Sequence, residues 1–170
     1  SLFELLTTPP DLSLCFTNSP LLSSSAFQLN WDINKIATDF SRNLIKLSNN
    51  RRFLMLEVKP LFQKDKIDIL IKEVSKLKKF SITSFKEKNI INLYNKKKSL
   101  DLGLLIPSTF NFENILLKSR KKYVKFLVLE KKFLTEKRLI KIKKRIYFYT
   151  IKKSTDFKKY KKFNLIFENL

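Results

Sequence analysis

Between Arg51 and Phe80 the chain reads as a short apolar run followed by an amphipathic one. Phe53 to Val58 (Phe-Leu-Met-Leu-Glu-Val) is bounded by Arg51-Arg52 before it and Lys59-Pro60 after it, which is the length and framing of a strand. From Asp65 to Lys79 the residues Ile67, Leu70, Ile71, Val74 and Leu77 recur at helical spacing, with lysines on the opposite side. Asp65 stands where a cap is expected, with Asp68 three residues on. Lys76, Lys78 and Lys79 suit the negative end of the helix dipole. A strand feeding a helix, both fringed with positive charge, is the clearest structural statement in the sequence.

Charge sets the second constraint. The 170 residues hold 36 Lys and Arg against 15 Asp and Glu, a net +21. Self-repulsion of that size disfavours a compact state unless a polyanion neutralises it, and nucleic acid is the usual one, with an anionic membrane surface second. The charge is also placed unevenly. Residues 1–34 contain Glu4, Asp11 and Asp32 and no Lys or Arg. The remaining residues carry 36 basic and 12 acidic side chains, a balance of +24 spread over their whole length. The single cysteine, Cys15, excludes an internal disulfide, and the absence of histidine removes the commonest general base and metal ligand. The lone glycine, beside heavy use of Phe, Lys, Ile and Asn, matches the codon usage of a strongly AT-biased genome such as an organelle's. No window approaches the roughly 20 apolar residues of a spanning helix. The first residues carry neither the basic start of a secretory signal nor the arginines of a transit peptide.

In chain order, residues 1–30 read as an irregular arm broken by Pro9-Pro10 and Ser23-Ser24-Ser25. Ile33, Ile36, Ala37, Phe40, Leu44 and Leu47 predict a helix, so residues 1–50 are an arm and helix. Residues 81–102 read as an insertion in which Ile90–Tyr94 is a strand or a short helix and Asn95–Ser99 is a basic loop. Gly103–Pro107 and Ile115–Lys118 read as extended, and Pro107 argues against a central place in a sheet. Ser119-Arg120-Lys121-Lys122 makes a basic connection to a strand over Tyr123–Leu134, so that the pair forms a long hairpin. A helical reading of residues 120–134 stays open. Thr135-Glu136-Lys137 marks a helix start, Ile146–Ile151 is the strongest strand signal, and residues 153–170 form a basic tail. Strand, helix, strand, strand, helix, strand is the ferredoxin-like βαββαβ order. The fold class expected is therefore α+β, a ferredoxin-like core over residues 51–152 with an extended β-hairpin, an N-terminal arm and a basic C-terminal extension.

With that order in place, residues 52–152 resemble the universal small-subunit ribosomal protein ten (S-ten) family in an organellar version. The residues that carry the resemblance are Phe53–Lys79, Gly103-Leu-Leu-Ile-Pro107-Ser108, Leu116–Ser119 with Arg120–Lys122, Phe126 with Lys131-Lys132, Thr135–Lys137 and Arg145–Ile151. Two departures stand beside them. The family's Pro-His pair after the tip serine is missing at Ser119-Arg120, and the 81–102 insertion is atypical. The resemblance implies a structural component of a mitochondrial small ribosomal subunit, located in the matrix ribosome. It would bind ribosomal RNA and neighbouring head proteins, and would have no enzymatic activity, cofactor or metal.

The cations expected to meet nucleic acid are Lys96, Lys97, Lys98, Lys118, Arg120, Lys121, Lys122, Lys131, Lys132, Lys137, Arg138, Lys141, Lys143, Lys144, Arg145, Lys158 and Lys159. Aromatics among them (Tyr123, Phe126, Tyr147, Tyr149, Tyr160) suit base stacking, while sheet core is the better reading for Phe126, Phe133 and Phe148. A nuclease built on Asp65, Asp68 and Glu73 is the enzymatic reading, but helix capping and lysine pairing explain those acids better. The second alternative is an accessory subunit of a respiratory complex, which a spanning helix would mark.

Overall fold

Strands form where the sequence is most continuously apolar, and the order in which they pair decides the fold. The computed structural model describes residues 12–17, 26–29, 53–59, 61, 64–152 and 154–167. Among these, β1 (Leu12–Thr17), β2 (Ala26–Leu29) and β3 (Phe53–Val58) are followed by α1 (Lys64–Val74), β4 (Phe80–Ser84), α2 (Glu87–Lys96), β5 (Leu102–Ile106), α3 (Phe112–Ser119) and β6 (Phe126–Glu130). Two 3-10 turns, Lys131–Thr135 and Lys137–Lys141, then lead to β7 (Arg145–Ile151), α4 (Ser154–Tyr160) and β8 (Asn164–Phe167). The sheet order is β2-β1-β3-β4-β5-β6-β7-β8. The six strands from β3 to β8 are all parallel to their neighbours, and β1 and β2 add antiparallel to the β3 edge. The sheet curls far enough to bring β1 against β8. Alternating β/α units on a curled parallel sheet make a half-barrel of the TIM-barrel kind.

The opening strand and helix stand close to where the sequence puts them. The helix starts one residue before Asp65 and stops at Val74, short of Lys79. Ser75 Oγ donates to the Ile71 carbonyl at 2.6 Å, one of the backbone acceptors at the helix end. Ile67, Leu70 and Val74 are buried against the sheet.

The ferredoxin-like expectation fails at three places, each with a physical reason. Residues 81–102 are no insertion. Phe80–Ser84 is an inner strand, disguised because its barrel-side positions are the polar Ser81 and Thr83, and Glu87–Lys96 is the helix that returns to the sheet. Residues 112–119 are helical, not extended. Asn111 caps them by accepting from the Asn114 amide at 2.9 Å, and Phe112 and Ile115 point into the core. The hairpin with a basic tip therefore does not exist. Gly103↔Phe126 and Ile106↔Leu129 pair in parallel, which requires a crossover, and α3 supplies it. Pro107 falls just beyond β5, so it costs this central strand no hydrogen bond. With the hairpin goes the S-ten resemblance, because the segments quoted for it sit in another topology.

Further along, the helix expected after Thr135 is a 3-10 turn, with only Leu139 and Ile142 packed inward and Ile140 left 89% exposed. The basic tail beyond residue 153 contributes α4 and β8 to the fold. The helix expected over residues 33–47 lies outside the described residues, as does most of the 1–30 arm apart from β1 and β2.

Parallel sheets are covered on both sides, and this one is. Even-numbered residues of β3, β4 and β5 (Leu54, Leu56, Ile82, Leu102, Leu104) face the helices together with Leu127, Leu129 and Phe148. Met55, Leu105, Phe126, Val128 and Ile166 fill the inside of the curl, with Phe53, Tyr147 and Tyr149 packed on them. Phe126 is fully buried there, a contribution of roughly 2–3 kcal/mol for such a side chain. Gly103, its register partner on β5, makes room for it. A Cβ at residue 103 would come within 3.0 Å of three Phe126 ring carbons, so something must shift to admit it. Gly103→Ala is therefore expected to lower unfolding free energy by about 1–3 kcal/mol in urea titration. Adding Phe126→Leu should make the double variant less destabilised than the sum of the two single changes. Strict additivity would contradict the packing.

Candidate functional site at the C-terminal strand ends

In a parallel sheet every strand leaves its last residues at the same end, so inward-facing polar residues there gather without being near in sequence. Four do so here. Glu57 is the inward residue near the end of β3, and its register partner on β4 is Thr83. Glu130 closes β6, and its register partner on β7 is Tyr149. The curl brings the two pairs together. The Tyr149 phenol donates to the Ile106 carbonyl at 3.3 Å and packs edge-on against Phe85, the residue following β4, with ring centroids 6.1 Å apart. Burial pushes the Tyr149 hydroxyl up to about 12, and the carboxylates of Glu130 and Glu57 add to the shift by opposing a second negative charge. Tyr149 is thus a neutral hydrogen-bond donor at neutral pH, between two carboxylates.

Two atoms in this group are buried without a hydrogen-bond partner, Thr83 Oγ1 and Glu130 Oε2. An unpaired buried polar atom costs about 1–3 kcal/mol, and such atoms mark places where an occupant completes the set. Two carboxylates and a hydroxyl are hard oxygen donors, of the type that holds Mg²⁺, Mn²⁺ or Ca²⁺. Among the described residues no group of three or more His, Cys, Asp or Glu is placed to hold a metal ion. A cation here would therefore rest on Glu57, Glu130 and Thr83 alone. Around this end stand lysines that follow four of the strands: half-buried Lys59 after β3, Lys86 after β4, Lys131 and Lys132 after β6, and Lys152 after β7. Lys131 lies 3.6 Å from Asp156, and Lys132 donates to the Ser108 carbonyl.

No protein-family model matches the sequence, and no curated protein sequence does. Solved structures do match in shape. A Silicibacter pomeroyi protein assigned as a glycerophosphoryl diester phosphodiesterase superposes with a TM-score of 0.63 at 9% identity, over 76% of this chain and 51% of that one. An Oleispira antarctica phosphodiesterase, solved with the product sn-glycerol-3-phosphate, superposes with a TM-score of 0.53 at 15% identity, over 66% of this chain and 49% of that one. The likeness is one of fold. The chain spans about half the length of these structures. It corrects the functional expectation nonetheless. A curled parallel β/α sheet shared with phosphodiesterase enzymes is not the scaffold of an S-ten-type ribosomal component, and the non-enzymatic reading fell with that scaffold. Among the described residues no helix is long and apolar enough to cross a membrane.

The cations expected to form one nucleic-acid face are divided by the topology. Lys131 and Lys132 are at the C-terminal end with the carboxylates. Lys96 ends α2 and Lys97 and Lys98 follow it before β5, Arg120, Lys121 and Lys122 lie between α3 and β6, and Lys143, Lys144 and Arg145 at the start of β7, all toward the opposite end. Lys118 is drawn to Glu87 at 2.5 Å. Burial works against charge on Glu87, but the hydrogen bonds from Lys118 and Tyr123 outweigh it and hold its carboxyl below the usual range. Arg138 is engaged by Glu136 at 2.8 Å and by Glu113 at 3.5 Å, and stacks on Phe112. Lys137 and Lys141 are exposed on the same 3-10 turn, and Lys158 and Lys159 on α4. The nuclease acids do not converge. Asp68 pairs with Lys96 and Glu73 with Lys76, while the Asp65 side chain lies outside the described residues. Glu57, Thr83 and Glu130 were missed in the sequence. The available signal was an acid at or near the end of each of two otherwise apolar runs, Phe53–Val58 and Phe126–Glu130.

The Tyr149 assignment carries its own test. With a folded value near 12 against about 10 unfolded, the phenol binds more protons in the native state between those limits, so stability is full below pH 10 and falls as pH rises toward 12. Tyrosine ring carbon shifts followed by NMR should show Tyr149 ionising near 12, and Glu130→Gln should lower that value toward 10. An unchanged titration in the variant would remove Glu130 from the site.

Proposed function

We propose that the C-terminal end of this half-barrel binds and hydrolyses a phosphodiester. The observation that carries the reading is the pair of unpartnered buried atoms, Thr83 Oγ1 and Glu130 Oε2, grouped with Glu57 and Tyr149 where the parallel strands end. The two phosphodiesterases of similar fold support the substrate class.

The electrostatics narrow the chemistry. A phosphodiester is an anion, and two carboxylates repel it unless positive charge intervenes. Lys59, Lys86 and Lys131 supply part of that charge from the surrounding loops. A divalent cation held by Glu57, Glu130 and Thr83 would supply the rest, acting as a Lewis acid on the phosphoryl oxygens. Tyr149, kept protonated, donates a hydrogen bond to a phosphoryl oxygen or to the departing alcohol. With no histidine in these 170 residues, a carboxylate oxygen of Glu57 or Glu130 not bound to the cation would take the proton of the water that attacks phosphorus as the alcohol leaves. Phe126, Val128 and Met55 close the floor of the site against water.

The experiment is a diesterase assay on the full chain, using glycerophosphocholine and bis(p-nitrophenyl) phosphate with Mg²⁺, Mn²⁺ or Ca²⁺. Wild type should release the alcohol in a cation-dependent reaction. Glu57→Gln and Glu130→Gln should each lower kcat/KM by about 10²-fold or more, and Tyr149→Phe by about tenfold. No turnover of either diester with any of the three cations, or full activity in both glutamine variants, would overturn the reading.

A further inference from the structure

The opposite end of the barrel carries a surface whose exposed charge is predominantly positive. Three loops approach adjacent strands there: Lys97–Asp101 before β5, Arg120–Lys125 before β6 and Ile142–Lys144 before β7. Hydrogen bonds fix them side by side. The Lys125 amide donates to the Leu102 carbonyl at 2.7 Å, and the Lys144 ammonium donates to the carbonyls of Lys121 and Val124. Lys97 bridges to the Ser75 hydroxyl of the preceding loop at 3.1 Å. The exposed ends of Lys98, Arg120, Lys121, Lys122, Lys125 and Lys143 crowd this surface. Asp101 is the one acid in the three loops, and it is taken up by Arg145 at 2.5 Å and by the Ser81 hydroxyl. Burial, and after it the neighbouring Lys125, push the Lys144 ammonium below its usual range.

We propose that this N-terminal end of the barrel is a docking surface for the phosphate backbone of nucleic acid, separate from the carboxylate site. The loops themselves decide between the polyanions that fit. Leu100, Val124 and Ile142 are buried, and half-buried Tyr123 packs on the core with its hydroxyl donating to Glu87, so the three loops present mainly charge and no apolar side chain free to enter a bilayer. Leu117 is the exposed apolar side chain nearest by, on the flank of α3 in an open groove lined also by Phe110, Asn114, Lys118, Arg120 and Lys121, and one leucine at the margin is too little to anchor the surface in a bilayer. An array of ammonium and guanidinium groups carried on short, mutually bonded loops neutralises successive phosphates and releases their counterions, without reading sequence. The surface faces away from the strand ends that hold Glu57 and Glu130. Nucleic acid bound here would localise the protein and leave the chemical end open, so this surface stands whether or not the diesterase reading does.

The test takes one exposed lysine from each loop. Binding of a fluorescent single-stranded RNA oligonucleotide to the full chain is followed by anisotropy over a range of salt concentrations. It is compared with Lys98→Gln/Lys122→Gln/Lys143→Gln and with a control of equal charge loss on the helical flank, Lys88→Gln on α2, Lys137→Gln on the second 3-10 turn and Lys158→Gln on α4. Circular dichroism confirms that each variant is folded. The loop variant should bind at least about tenfold more weakly and lose roughly 0.7 in log–log salt slope for each contact removed, while the control stays close to wild type. Equal losses in both variants would show attraction by net charge alone and overturn the proposal. Undetectable RNA binding by wild type at physiological salt would also overturn it. So would tighter binding to phosphatidylserine-containing vesicles than to RNA.

Discussion

The packing of Phe126 over Gly103 is the contact on which the sheet depends. Parallel strands tolerate no wet face, so the inside of the curl must be filled as completely as the side under the helices. Phe126 does most of the filling, and it fits because its neighbour on β5 has no side chain. Met55, Leu105, Val128 and Ile166 complete the layer, with Tyr147 edge-on to Phe126 at 5.3 Å. The sole glycine of the chain is spent on this approach rather than on a turn.

Parallel order has a second consequence. Every return from the end of one strand to the start of the next must cross the sheet, so loops segregate by direction. Loops that leave strands carry Lys59, Lys86, Lys131 and Lys132 beside Glu57, Thr83, Glu130 and Tyr149. Loops that approach strands carry Lys98, Arg120, Lys121, Lys122 and Lys143, and the one acid there is already paired. An excess of charge spread along residues 35–170 becomes two surfaces of different chemistry. One has carboxylates and two unsatisfied oxygens to complete, Thr83 Oγ1 and Glu130 Oε2. The other has only cations to present.

Much of the element content was legible in the sequence, and the topology was not. β3, α1, β5 and β7 follow from apolar runs and helical spacing. The error lay in how they are joined. Phe80–Ser84 hid as an insertion because Ser81 and Thr83 interrupt its apolar character, and the strand was then missing from the count. Phe112–Ser119 passed as extended because Ile115-Leu116-Leu117 is a short apolar run whose period does not separate helix from strand. The Asn111 cap was the cue that separates them. With β4 lost and α3 misread, β5 and β6 became a hairpin, and a ferredoxin-like order followed. The site was illegible for the same reason. Glu57 and Glu130 are far apart along the chain, and only parallel pairing puts them at one end. The concentration of lysine was legible, but its division between the two ends was not.

Whether β5 and β6 run parallel or antiparallel is the fact from which both surfaces derive. It is measured most directly by cross-strand nuclear Overhauser contacts in isotope-labelled protein. Parallel order predicts contacts pairing Gly103 with Phe126, Leu104 with Leu127 and Ile106 with Leu129, together with Phe126 to Arg145 on the other side. Contacts pairing Ile115–Lys118 with Tyr123–Phe126 in antiparallel order, across a turn at Ser119–Lys122, would contradict the half-barrel and both surfaces with it.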